Sequence, residues 1–453
     1  MTRLQHARAL LVLGLPLVGS HVVQVSIGVT DALMLGRYSV TALAGSTVAH
    51  SVWFVIFLFG AGISAAVMPM VAEAATRGDV TAARRVTRMG LWASIAFAAL
   101  SMPFMLIGAP IFTAIGQEAD VAEAAGQYMR IAAFGMLPAL VINTLRSHVS
   151  ALELTRVVLW ATVLAAGLNI ALNWVLIYGN LGAPEMGIRG AALASVIGHC
   201  AGAAALAAYI LRRLPEHELF ARFWRPDPEA LLRVVRVGLP IGLTQLAEVG
   251  LFAFSAIMMG WIGEVPLAAH GIALQLASLA FVIHLGLSQA VTVRTGASIG
   301  RGDALGVRRG AAASIGLSAL IALSVALLFV AFPAPLIDLF LSDGEPARPE
   351  ILAVGATLLL MAALFQLADA GQVIALGILR GLQDTRVPMW VAAVSYWGIG
   401  VPVAYVLAFE LDWGAVGIWT GLTVGLTAAC AALMWRFWGP ISRAMEEGRL
   451  ALG

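Results

Sequence analysis

The chain has 453 residues, of which 60% are hydrophobic and 11% charged, well below the roughly one-quarter charged share of soluble domains. A formal net charge of +2 is too small for the basic surface that nucleic acid requires, so no nucleic-acid partner is expected. A length that suggests about three soluble domains is instead divided into apolar runs of about 20 residues or more, each able to cross roughly 30 Å of hydrocarbon.

Taken in order, the chain opens with Arg3 and Arg8, and an apolar run from Ala9 continues to Val29 without a small-residue cleavage site. It therefore predicts a first spanning helix rather than a signal peptide. Twelve spans are predicted, over 9–36, 46–72, 89–112, 124–146, 157–179, 188–211, 233–260, 267–294, 310–334, 350–378, 387–409 and 414–437. The domains follow: an amino-terminal six-helix lobe over 1–211, a charged linker over 212–232, a carboxyl-terminal six-helix lobe over 233–438, and a tail over 439–453. Cys200 and Cys430 lie in apolar runs and are expected to be buried free thiols.

The halves repeat one another. LGLPLVG (Leu13 to Gly19) returns as VGLPIGL (Val237 to Leu243), and RGD-x4-RR (Arg77 to Arg85) returns at Arg301 to Arg309, both at an offset of 224 residues. Trp160 and Trp390, Gly187 and Gly417, and Cys200 and Cys430 match at an offset of 230. Six spans per half give both copies the same membrane orientation, a parallel repeat that points to a secondary transporter with its site between the repeats. Counted by loops, 23 arginines fall on the side of the amino terminus and only Arg37, Arg189 and Arg348 on the other. This places both termini in the cytoplasm of a multi-pass inner-membrane protein. The two RGD-x4-RR loops are expected to be cytoplasmic anchors.

Ionisable groups at membrane depth cost roughly 2.5–3.5 kcal/mol on insertion scales, so they face the protein interior and mark function. Three acids lie inside spans: Asp31, Glu248 and Asp369. The repeat pairs Asp31 with Ser255 and Glu248 with Gln24, so two polar slots recur with the charge exchanged, whereas Asp369 matches Ala139. Asn169 and Asn173 share one face of the fifth span, where their carbonyls suit a cation and their amides suit Asp31. The structural alternative is that each is a satisfied interior hydrogen-bonding group. His50, His199, His270 and His284 are expected to be packing residues.

TDALMLGR (Thr30 to Arg37), LNIALNW with GIRGAALAS (Gly187 to Ser195), GLPIGLTQLAEVGLFAFSAIMMG (Gly238 to Gly260) and FQLADAGQVIALGILRGLQDTR (Phe365 to Arg386) together resemble the multidrug and toxic compound extrusion (MATE) family, in its NorM-like branch. The resemblance covers essentially the whole chain. It implies an all-α integral membrane protein of twelve transmembrane helices in two pseudo-symmetric six-helix lobes, arranged in a V. It also implies a secondary multidrug antiporter that exports amphipathic organic cations in exchange for H+ or Na+. Glu248 and Asp369 fall on the cation-coupling acids of the second lobe, a candidate Na+ site. Asp31, Asn169, Asn173 and Ser195 fall on the polar cluster of the first, with Gln24 and Phe365 as further binding candidates. Phe365 stands where the family commonly carries Tyr, so one hydroxyl ligand is missing and proton coupling gains. No cofactor other than the coupling ion is expected, and a monomer in the bilayer is the default.

Exporters of lipid-linked or polysaccharide substrates are the alternative, but they favour cationic cavities, and here the central spans carry acids. The GxxxD(R/K)xGRR loop of the major facilitator superfamily is missing, and no HExxH or DDxxD motif supports an intramembrane enzyme.

Overall fold

The structure, a computed structural model, describes residues 3–342 and 344–447. Among these residues twelve helices are long and apolar enough to cross a membrane. They are α1 (Leu4–Tyr38), α2 (Val40–Thr76), α3 (Val80–Ile107), α4 (Ala119–Ala151), α5 (Thr155–Tyr178) and α6 (Ile188–Arg213) in the first half. The second half supplies α7 (Pro228–Ile262), α8 (Glu264–Gly300), α9 (Ala304–Ala331), α10 (Arg348–Gly381), α11 (Arg386–Glu410) and α12 (Gly414–Glu446). Most extend past the predicted apolar runs, because polar residues at the bilayer edge continue the backbone ladder.

Two predicted spans end early. The run over 89–112 breaks at Gly108, whose φ of 71° stops α3 and starts a separate short helix, Ala109–Ala114. The run over 310–334 breaks at Phe332, and Pro333 opens the short helix Pro333–Asp338, a first-turn position where the absent N–H costs nothing. Helix α11 departs from α geometry in two π segments, Val394–Gly400 and Val406–Glu410.

The helices form two compact units. One is Gly19–Gly242; the other joins the chain up to Val18 with the chain from Leu243 onward. The expected lobe edges at 211 and 233 therefore differ from this division, since the start of each half's first helix packs with the opposite half. Pro16 and Pro240, which lack the N–H that a helix interior uses, stand just before the two switch points.

Glycine allows the crossings. In the first unit a Cβ on Gly238 would lie 2.5 Å from Ile63 Cα, and one on Gly62 would lie 2.3 Å from the Gly242 backbone. In the second, a Cβ on Gly14 would lie 2.9 Å from the Leu287 side chain and one on Gly286 would lie 2.5 Å from Val18. These are repeat equivalents: Gly14 matches Gly238, and Gly62 matches Gly286. Close backbone approach is the main attraction between helices in lipid, where burial of apolar surface offers no advantage.

Each unit has one central helix. Helix α4 packs on α2, α3 and α6, and its counterpart α10 packs on α8, α9 and α12. Buried Trp53, Met129, Met136 and Leu140 fill the first core; Tyr396, Trp419, Leu358 and Leu359 fill the second. Outward faces are apolar: the repeat-matched Trp160 and Trp390 are 69% and 65% exposed, a surface suited to lipid. Cys200 is exposed, contrary to expectation, because it lies on an outward face of α6; Cys430 is half-buried, and both are free thiols.

The duplicated loops are structural devices. Gly78 and Gly302 take φ of 74° and 67°, and the following aspartates cap the next helix. The Ala82 N–H donates to Asp79 at 2.8 Å and the Gly306 N–H to Asp303 at 2.7 Å. The paired arginines then clamp the segment that follows each set of six helices. Arg84 and Arg85 hold Glu218 and Asp227 of the linker, and Arg308 holds Glu446 near the end of α12. Pairing with Arg85 keeps the Asp227 carboxyl below its ordinary range. The linker is thus docked rather than free: Trp92 donates to the Phe223 carbonyl at 3.0 Å, and Leu219 is buried. Of the expected tail, residues as far as Glu446 prolong α12, and 448–453 lie outside the described residues.

Gly62→Val and Gly286→Val should each cost about 1–3 kcal/mol by overpacking and lower the melting temperature of the detergent-purified protein. Gly167→Ala, with nothing within 4 Å of the added carbon, should leave it nearly unchanged.

Candidate functional site

The polar side chains singled out in the spans gather into two separate clusters, one in each unit. In the first, Tyr178 of α5 donates to the Met34 carbonyl of α1 at 2.7 Å, which fixes α5 beside Asp31. One turn of α5 separates Asn169 from Asn173, so both face α1. The Asn173 amide donates to Asp31 and, at 3.1 Å, to the Asn169 carbonyl oxygen. The Asn169 amide donates to Ser195 of α6 at 3.2 Å, and the Ser195 hydroxyl stands 3.5 Å from the second Asp31 oxygen. These four residues form a closed ring.

Tyr128 of the central helix α4 is buried beside Ser195, within electrostatic reach of Asp31. Asn169 and Asn173 are buried, and the Asn173 side-chain oxygen has no partner among the described residues. The structure does not bring Gln24 into this ring; it is an exposed residue of α1, two turns before Asp31. The slot matched to Asp31 has a different use: Ser255 is buried, donates to the Phe252 carbonyl at 2.7 Å and lies 3.4 Å from His270.

In the second unit the acids sit on the first helix and on the hub. Glu248 is on α7 and Asp369 on α10, where Asp369 is 2% exposed. The two carboxylates, Tyr396 of α11 and Arg380 near the end of α10 act on one another electrostatically. The Gln372 amide donates to the Tyr396 hydroxyl.

The cluster is rich in buried polar atoms without partners: one oxygen each of Gln245, Glu248, Asp369 and Gln372, and both the oxygen and the nitrogen of the Gln366 amide. Native interiors leave few such atoms, and each calls for water, an ion or a ligand. None of Asp31, Glu248 and Asp369 forms an ion pair among the described residues. The oxygens available, carboxylate and amide, are those that hard cations and protonated guests prefer. No group of three His, Cys, Asp or Glu gathers among the described residues, so the candidate Na+ site at Glu248 and Asp369 would have to draw on amide oxygens.

Phe365 is 3% exposed. Its ring meets Phe252 and Trp419 edge-on at 6.0 and 5.6 Å, so it packs beside the acids and adds no oxygen. Trp397 is 42% exposed, donates to the Ala247 carbonyl at 3.1 Å next to Glu248, and lies 5.9 Å from Phe254. The span histidines are placed by packing: His199 and His50 stack on Trp53 at 5.8 and 6.0 Å, and His284 meets Ser318 at 2.9 Å.

Sequence reasoning missed Tyr128, Gln366, Gln372, Tyr396 and Arg380. The two glutamines had a signal, since Gln366, Asp369 and Gln372 recur every three residues in an otherwise apolar helix. Arg380 lies three turns beyond Asp369, just past the predicted span over 350–378, and so reads as a loop residue. The tyrosines had no signal, because an aromatic residue inside a span reads as packing.

Asn173→Leu should destabilise the protein by about 1.5–3 kcal/mol, because it strips a charged acceptor of its donor. Adding Asp31→Asn should restore part of that loss, a coupling that a double-mutant melting cycle measures.

The residues matched by the MatE family model are 16–175 and 240–406, so the same model fits each half of the repeat. A probable multidrug resistance protein NorM of Rhizobium meliloti is 45% identical over 97% of this chain and 94% of its own length. A second, from Agrobacterium fabrum, is 44% identical over 98% and 96%. Among solved structures, an outward-facing multidrug resistance MATE family transporter of the MOP superfamily superposes with a TM-score of 0.87 at 22% identity, covering 97% of both chains.

Proposed function

We propose the function of this chain from a plain premise: it belongs to the MatE family. The protein is a multidrug efflux carrier of the bacterial inner membrane, with both termini in the cytoplasm. It exports amphipathic organic cations in exchange for an inward-moving cation. The observation that carries this proposal is that each unit holds carboxylates inside the membrane without an ion-pair partner.

A buried carboxylate without a counter-charge is expensive, and a proton, a metal cation or an organic cation can each offset that cost. Because one acidic cluster accommodates only one of these guests at a time, binding of the coupling ion expels the drug. Exchange becomes transport when each guest favours a different arrangement of the two units, through its differential affinity for the outward-open and inward-open states. Glu248 and Asp369 form one coupling site, assisted by Gln366, Gln372 and Tyr396. Asp31 with Asn169, Asn173 and Ser195 forms the second. The exposed Trp397 face beside Glu248 suits an organic cation through its π-electrons. Proton coupling is preferred, since Phe365 supplies no hydroxyl for a Na+ shell.

In proteoliposomes an imposed pH gradient should drive uptake of a fluorescent organic cation. Glu248→Gln, Asp369→Asn and Asp31→Asn should each slow it on the order of tenfold, the equivalent of about 1.4 kcal/mol. Normal rates in all three variants would remove these acids from the mechanism, and a lack of response to both pH and Na+ gradients would remove antiport itself. Phe365→Tyr should raise the Na+-driven rate severalfold; an unchanged Na+ response would show that no Na+ ligand is missing at this position.

A further inference from the structure

Outside the two acidic clusters, the first unit carries a cleft of about 410 Å³ lined by Arg84, Arg88, Glu218, Ala221, Arg222 and Arg225. Four guanidinium groups share it with one carboxylate. Arg84 pairs with Glu218, and Arg88 donates to the Ala221 and Arg222 carbonyls at 2.7 and 3.1 Å. The Nε atoms of both Arg84 and Arg88 are nevertheless buried without an acceptor. Arg222 and Arg225 are exposed, and no carboxylate pairs with either among the described residues. The backbone holds the arrangement open: Arg222 takes a φ of 52°, a left-handed conformation that turns the linker sharply over the start of α3.

The depth of the cleft narrows the choice of ligand. Arg88 is the last charged residue before the uncharged stretch that fills the rest of α3, so the guanidinium groups stand where hydrocarbon gives way to headgroups. Trp92 and Phe223 stack 5.9 Å apart at the same level, and Trp224 is 75% exposed. Aromatic rings of this kind favour the membrane interface. Four guanidinium groups lining one cleft at headgroup depth match phosphate oxygens in charge.

We propose that this cleft binds the phosphate of an anionic phospholipid, tying the linker and the start of α3 to the leaflet they face. The phosphate sits among the Arg84, Arg88, Arg222 and Arg225 guanidinium groups that line the cleft, and the acyl chains follow the apolar surface of α3. The site serves the fold and its attachment to the bilayer rather than the cargo pathway.

The full-length protein in detergent can be titrated with dioctanoyl-phosphatidylglycerol and dioctanoyl-phosphatidylcholine, with bound lipid counted by native mass spectrometry. Wild type should prefer phosphatidylglycerol. Arg222→Asn combined with Arg225→Gln should weaken that binding about 25-fold, from roughly fivefold per interfacial arginine; asparagine is chosen because it tolerates the left-handed backbone. Arg212→Gln with Arg213→Gln removes the same charge outside the cleft and should weaken binding far less than the first pair does, because neither residue lines the site. Inorganic phosphate at equal concentration should not displace the lipid. Equal loss in both double variants would reduce the site to a diffuse field, and unchanged binding in the first would eliminate it. Displacement by phosphate would make the ligand a soluble anion.

Discussion

A carboxyl side chain held inside a span without an ion-pair partner is the constraint around which both units are organised. Hydrocarbon offers no hydrogen bonds, so the chain must solvate Asp31, Glu248 and Asp369 with its own groups or leave them for a guest. The two units answer differently. The first surrounds Asp31 with donors, since Asn173 donates to one carboxylate oxygen and Ser195 lies near the other. The second places Asp369 on its most enclosed helix between Gln366, whose amide has no partner, and Gln372, whose side-chain oxygen has none. One cluster is nearly self-satisfied; the other, even with Arg380 in electrostatic reach, leaves several polar atoms without partners.

That contrast stands on a symmetric frame. Equivalent central helices, equivalent glycine crossings and equivalent Asp caps recur in both halves, down to the arginine clamps on the linker and on the end of α12. Packing in lipid depends on small residues at close crossings, which tolerate little change, and this accounts for a frame held nearly constant. The polar slots are not under that restriction. The position filled by Asp31 in one copy holds Ser255 in the other, where it serves packing beside His270. Symmetry therefore resides in the backbone contacts, and asymmetry in the ionisable groups.

Crossing of the first helix of each half into the other half's unit links the frame to the site. Asp31 and Glu248 lie beyond Pro16 and Pro240 on α1 and α7, the helices whose starts pack in the opposite unit. In the proposed exchange, a guest that neutralises either acid would act on one of these two helices. The phosphate cleft proposed for the linker lies elsewhere, at the edge of the membrane, and would hold the frame without entering the exchange.

Much of this was legible from residue order alone. Apolar run length set the helix count, because hydrocarbon thickness admits few alternatives, and the repeat offsets paired helices that turned out to be structural equivalents. The three acids stood out because charge in an apolar run is costly wherever it occurs. Tertiary structure alone decided which half claims the starts of α1 and α7, since helix membership depends on crossings that leave no trace in hydropathy. It also decided that Gln24 stays outside the Asp31 ring, and that Tyr128, Tyr396 and Arg380 join the acids. Periodicity reports which residues share a face of one helix; which faces meet is settled only when glycine contacts bring the helices together.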